Sequence, residues 1–218
     1  MWQSTCVLRT LLPARDDAPV QRLVRLAIGL ALYGISITLM VRADLGLDPW
    51  DVLHQGLSRT FGLSIGTWVI IASVLVLLAW WPLRQRPGFG TVSNVLAVGL
   101  VVNATIDLFD TPASMPVRVV LVVAAIVLNG LATGLYIGAG LGPGARDGLT
   151  TGLVARGHSI RVVRTTIELS VLAAGFLLGG SVGIGTLAYA FAIGPIMHLT
   201  VPALALRRAR TPEPEPAA

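Results

Sequence analysis

The sequence predicts an all-α membrane protein with six transmembrane helices, arranged as two tandem three-helix repeats in inverted topology. Three observations predict it. The 218 residues are 54% hydrophobic and only 12% charged, with a mean hydropathy of +0.78, against about 25% charge in a soluble domain. The second half of the chain repeats motifs of the first at a shift of 96 residues. The arginines divide unequally between the two sides of the expected spans.

Uncharged stretches locate the spans. None of 65–83, 87–106, 119–145 and 169–206 contains Asp, Glu, Lys or Arg, and a helix needs roughly 20 apolar residues to cross about 30 Å of hydrocarbon. With the periodicity around them, these stretches give spans at 23–41, 66–81, 91–107, 117–137, 162–178 and 186–206. The Gly-rich segment 179–185 is the turn between the last two. Trp80, Trp81 and Pro82 end the second span as an interfacial aromatic anchor would. Residues 1–22 read as a cytoplasmic tail, because the apolar run at 6–13 is too short for a signal peptide and Asp16-Asp17 follow it. Residues 207–218, rich in Pro and Glu, are expected to be a disordered cytoplasmic tail.

Leu45-Gly46, Asp51, Leu53 and Gly56-Leu57 match Leu141-Gly142, Asp147, Leu149 and Gly152-Leu153. At a shift of 95, Gly62, Ser64 and Ile65 match Gly157, Ser159 and Ile160, and Gly90-Thr91 matches Gly185-Thr186. This is an internal duplication. Repeat 1 covers 23–110, with a short amphipathic or re-entrant segment at 46–62; repeat 2 covers 117–206, with its counterpart at 142–157. Three spans per repeat is odd, so the second copy enters the membrane from the opposite side. With the N-terminus inside, thirteen arginines lie in cytoplasmic segments and only Arg42, Arg59 and Arg118 outside. That bias places a multi-pass protein in the cytoplasmic (inner) membrane with both termini cytoplasmic.

All sixteen basic residues are Arg, placed at helix ends and tails without interleaved aromatics, which argues against a nucleic-acid partner. Cys6 is the one cysteine, and His54, His158 and His198 show no metal-ligand spacing, so neither a disulfide framework nor a metal or other cofactor is expected. No Ser-His set or His/Asp pair stands at a useful spacing, so no catalytic residue is named and an enzyme is not expected.

The candidate solute-binding residues are Arg146, Asp147, Glu168, Asp51, His198 and Asn103. Asp51 and Asp147 occupy equivalent positions at the start of the two short helices, where a carboxylate serves either as an N-cap or on a solute path. Arg146 adjoins Gly142–Gly144, where an anionic group can approach closely, although topology alone also accounts for an arginine there. Glu168 lies inside the fifth span with Arg164 one turn before it, either a simple i,i+4 pair or a functional acid. Asn103 and Asp107 share a face of the third span, and His198 is the repeat equivalent of Asn103; such groups bond between helices or line a polar path. Gly130 and Gly134 form a GxxxG suited to close helix contact, within a monomer or a homo-oligomer.

Four spaced motifs then carry a likeness: GLGPGARDGLTTGL at 140–153, VVRTTIE at 162–168, GFLLGGSVGIGT at 175–186 and AIGPIMH at 192–198. With ADLGLDPWDVL at 43–53, they resemble the YczE-like family of bacterial integral membrane proteins, the YczE/YyaS/YitT group, over about residues 25–205. Ala145 stands where that group often has proline before the Arg-Asp pair. The resemblance implies an inner-membrane protein and supplies no activity. The leading expectation is a small secondary transporter or permease in the lipid bilayer for a polar small-molecule solute, including anionic ones. The rivals are a non-transporting scaffold or regulatory partner and a solute-capture subunit of a larger transporter.

Overall fold

The computed structural model describes residues 19–206, and among these the chain is all helical with no strand. Eight α-helices follow one another: α1 (Pro19–Ala43), α2 (Pro49–Phe61), α3 (Ile65–Leu83), α4 (Phe89–Thr105), α5 (Met115–Gly138), α6 (Ala145–Val154), α7 (Ile160–Leu177) and α8 (Ile184–Leu204). A short 3₁₀ turn, Ile106–Leu108, extends α4. The order long, short, long, long therefore occurs twice. The expected tails fall almost wholly outside the described residues, although α1 already begins at Pro19 rather than at 23.

Among the described residues, five helices are long and apolar enough to cross a membrane: Pro19–Ala43, Ile65–Leu83, Phe89–Leu108, Met115–Gly138 and Ile184–Leu204. The remaining expected span, at 162–178, falls in α7. That helix is 18 residues long and carries Arg161, Arg164 and Glu168, so its composition is not that of a plain apolar crossing.

The centre of the molecule is the packing of α1 on α5. Arg22 Nη1, near the start of α1, donates to the Ala139 carbonyl beyond the end of α5 at 2.8 Å. Farther along, Asn129 Nδ2 donates to Ser36 Oγ at 2.9 Å. Residue numbers climb on one helix as they fall on the other, so the two run antiparallel. Leu26, Leu30, Tyr33, Ala132 and Tyr136 close the interface, with Val98 and Val102 of α4 packed alongside. A second cluster joins Met40, Ala43 and Leu47 to Val52 of α2 and to Val122 and Ile126 of α5. The glycines of the GxxxG turn inward: a Cβ on Gly130 would meet Ile196 at 2.2 Å and one on Gly134 would meet the Thr200 carbonyl at 2.9 Å, both on α8. Small residues here serve contact within one chain.

Contacts between the halves are reciprocal. Gly185 N–H at the start of α8 donates to the Leu45 carbonyl after α1, at 2.7 Å; Gly90 N–H at the start of α4 donates to the Leu141 carbonyl after α5, at 2.8 Å. Gly46 and Gly142, which open these loops, have φ of 105° and 127°, a left-handed backbone that side chains other than glycine rarely tolerate. The short helices are likewise exchanged: α2 packs on α7, and α6 packs on α3. One pair inverts sizes across this relation. Gly175 of α7 lies against Val52–Leu53 of α2, whereas the equivalent Trp80 of α3 fills the space above Gly148 of α6. Trp80 is therefore buried, its indole N–H donating to the Ala145 carbonyl at 2.9 Å, and is no interfacial anchor; only Trp81 beside it is exposed.

The halves differ in one further respect. α3 packs along α4, but the equivalent α7 and α8 barely touch.

Candidate functional site

α2 begins abruptly because Asp48 precedes Pro49. Proline suits the first helical position, and the Asp48 carboxylate accepts from the Asp51 backbone N–H at 2.7 Å. The N-cap is thus Asp48, not Asp51, and α6 is capped by Gly144 rather than by Asp147. Asp51 and Asp147 each sit three positions into their helices, which frees both side chains to face the protein interior. The polar face of α2 does not look out to water or headgroups. Asp51, His54 and Gln55 are buried together with Trp50 and Val52, so the helix enters the protein on every face near its start. Gln55 Oε1 accepts from Ser181 N–H at 2.6 Å, tying the helix to the turn between α7 and α8.

These starts point at a cavity of about 490 Å³ lined by residues from all eight helices, within the range of small-molecule sites. Arg146, at the start of α6, reaches across to the first half. Its Nη1 lies 3.7 Å from Asp48 Oδ2, its Nη2 donates to the Tyr33 hydroxyl, and its guanidinium carbon lies 5.8 Å and 5.5 Å from the Tyr33 and Trp50 ring centres. A guanidinium over aromatic faces is attracted by the ring quadrupole. Asp51 Oδ1 lies 3.0 Å from His54 Nδ1, and both side chains are buried. Tyr136 Oη donates to Asp147 Oδ2 at 3.0 Å. Deeper still, Tyr189 Oη donates to Asn129 Oδ1 at 3.1 Å, and Asn129 in turn donates to Ser36. Glu168, half-buried on α7, borders the same space beside Trp50, whose buried indole N–H closes no hydrogen bond of normal geometry.

The structure therefore gathers four of the sequence-derived candidates, Asp51, Arg146, Asp147 and Glu168, around one cavity. It does not bring Asn103 or His198 there. Asn103 is wedged between α3 and α4, where its Nδ2 donates to Thr67 Oγ1 at 3.3 Å and its buried Oδ1 lies against Gly66. His198 is exposed on α8. Arg164 and Glu168, one turn apart, form no ion pair among the described residues, and both border the cavity. Sequence reasoning passed over Asp48, Trp50, Tyr33, Tyr136 and Tyr189. Only Asp48 carried a readable signal, the Asp-Pro pair that opens a helix. No group of three or more His, Cys, Asp or Glu among the described residues has a metal-binding arrangement.

A protein-family profile described as a family of unknown function, DUF6198, matches residues 20–202, nearly all of the described chain. The chain belongs to this family. Within the reach of DUF6198 lie all eight helices but the last turns, and every residue of the cavity. An uncharacterized protein of Haemophilus influenzae is 38% identical over 174 residues, 79% of this chain and 80% of the relative. The uncharacterized membrane protein YczE of Bacillus subtilis is 31% identical over 172 residues, covering 78% and 80% of the two chains. YyaS of the same organism is 29% identical over 182 residues, covering 80% and 90%. The expected YczE-like kinship is thereby shown, and with the apolar helices it makes this DUF6198 chain a multi-pass membrane protein. No solved structure matches the chain.

Proposed function

We propose that this protein is a small secondary transporter of the cytoplasmic membrane, moving a polar solute through the cavity between two inverted repeats. The observation that carries the reading is the cavity itself: the starts of both short helices, equivalent in the two halves, converge on one space with buried ionisable side chains. Such groups are costly in lipid and mark solute or ion paths. Irregular backbone beside them, at 44–48 and 139–144, is tolerated at membrane depth where protein or a water-filled cavity satisfies it. The antiparallel α1 and α5, the reciprocal loop contacts and the arginine bias support the inversion. With α7 as the sixth crossing, its 18 residues span roughly 27 Å, and its charges face the cavity side rather than lipid at Arg164 and Glu168.

In this topology the cavity draws on the N-terminal half of α7 and the C-terminal half of α5 from the cytoplasmic side, and on the start of α2 from the other. Purified protein in proteoliposomes should exchange labelled solute for unlabelled solute of the same kind. Asp51→Asn and Asp147→Asn should each lower the exchange rate at least tenfold while the protein still inserts and purifies. Wild-type rates in both variants would remove the reading, and tight binding with no exchange would instead indicate a solute-capture subunit.

A further inference from the structure

The arginine beside the glycine loop suggests an anion when the sequence is read alone. The cavity suggests the opposite sign. Four carboxylates line it among the described residues, Asp48, Asp51, Asp147 and Glu168, against two guanidinium groups, Arg146 and Arg164. Arg146, moreover, is already occupied by the protein: Asp48 lies 3.7 Å away, the Tyr33 hydroxyl accepts from it, and two aromatic rings flank it. On the other side, Asp147 has one oxygen bonded by Tyr136 and the other unassigned, and Glu168 stands half-exposed to the space. Aromatic walls from Tyr33, Trp50, Tyr136 and Tyr189 complete the lining.

Building on the transport reading, we propose that the solute is a small organic cation, its ammonium or guanidinium head seated between Asp147 and Glu168, with an oxygen acceptor for the Trp50 indole. An excess of carboxylate in a partly dry site favours a positive ligand electrostatically, and aromatic faces add to that preference without competing hydration. The Trp50 N–H is more than nine-tenths buried, and Glu168 beside it does not close a hydrogen bond of normal geometry with it. An unsatisfied buried donor is costly, so a ligand that accepts from it regains that cost, and a bare ammonium without an oxygen does not.

Four compounds of equal chain length separate charge from size: aminobutanol (cation), γ-aminobutyrate (zwitterion), butanediol (neutral) and γ-hydroxybutyrate (anion). Their effect on the thermal unfolding of the purified protein in detergent reads binding by mass action. Aminobutanol should raise the midpoint most and γ-hydroxybutyrate least. Glu168→Gln should weaken aminobutanol binding about tenfold, the scale of one charge-assisted hydrogen bond. His198→Gln, outside the cavity, should leave it unchanged. Stabilisation by γ-hydroxybutyrate equal to or above that of aminobutanol, or none by aminobutanol, overturns the proposal even if Glu168→Gln fails to fold. Glu168-dependent binding without exchange in proteoliposomes removes transport alone; exchange of γ-hydroxybutyrate in preference to aminobutanol keeps transport and removes the cation.

Discussion

Single residues in this protein are sensitive where one half leans on the other. A Cβ on Gly148 would lie 1.9 Å from the Trp80 ring, which is held by its own hydrogen bond to Ala145 and cannot yield. Gly148→Ala should therefore cost about 1–3 kcal/mol, the usual penalty of overpacking. Gly194, on the other hand, has no atom within 4 Å of its would-be Cβ outside its chain neighbours and sits mid-helix in α8, where alanine's helix propensity of up to about 1 kcal/mol offsets the crowding a side chain meets before Pro195. Thermal unfolding in detergent should thus show Gly148→Ala lowered and Gly194→Ala unchanged or raised. Equal effects would mean that the Trp80 contact is not tight. The sequence offers no hint of this difference, because both glycines lie inside helices and only the facing helix distinguishes them. Asp51 and Asp147, by contrast, were legible from the duplication, and Arg146 from its place beside the glycine loop. The three tyrosines were not, since each stands alone in a different span and only the fold brings them together.

Among the elements, α2 is the one whose start and whose function depend on the same side chain. Asp48 caps the helix and also faces Arg146. The two roles separate by substitution. Asparagine caps about as well as aspartate, whereas alanine does not, at a cost of about 1 kcal/mol. Asp48→Asn should lose the charge opposite Arg146 alone, and Asp48→Ala should be less stable than Asp48→Asn by about 1 kcal/mol in the same unfolding measurement. Identical midpoints would show that the cap contributes nothing to the fold. Element positions were readable from the uncharged stretches, with helix ends displaced by a few residues. The nature of α7 was less so: the sequence predicts a span at 162–178, whereas the charges at Arg161, Arg164 and Glu168 leave α7 outside the helices apolar enough to cross by composition. Periodicity likewise showed that α2 has two faces but not that both are buried, because burial is decided by the helices packed on it, chiefly α7 and α3.

At the scale of the whole molecule, the proposed inverted arrangement makes a prediction that depends on no solute. Ser64 and Ser159 are repeat equivalents, each preceding a long helix and each exposed. In a Cys6→Ser background, Ser64→Cys should react with an impermeant thiol reagent on intact cells, and Ser159→Cys only after the membrane is opened. Labelling of both from one side would remove the inversion and the transport reading with it. The duplication is carried in the sequence by a shift of 96 residues, and the opposite orientation proposed for its halves by an arginine count. What no single-chain pattern could reveal is that each short helix packs more on the other repeat than on its own, since a repeat in sequence carries no record of which copy a contact joins.

The size reversal between Trp80 and Gly175 has a consequence for assembly. Two copies of the first half would bring Trp80 against Val52, large upon large, and two copies of the second would set Gly175 against Gly148 and leave a void. Each half is thus shaped to reject its twin and accept only its counterpart, so the peptide linker between α4 and α5 joins partners that steric fit had already made exclusive.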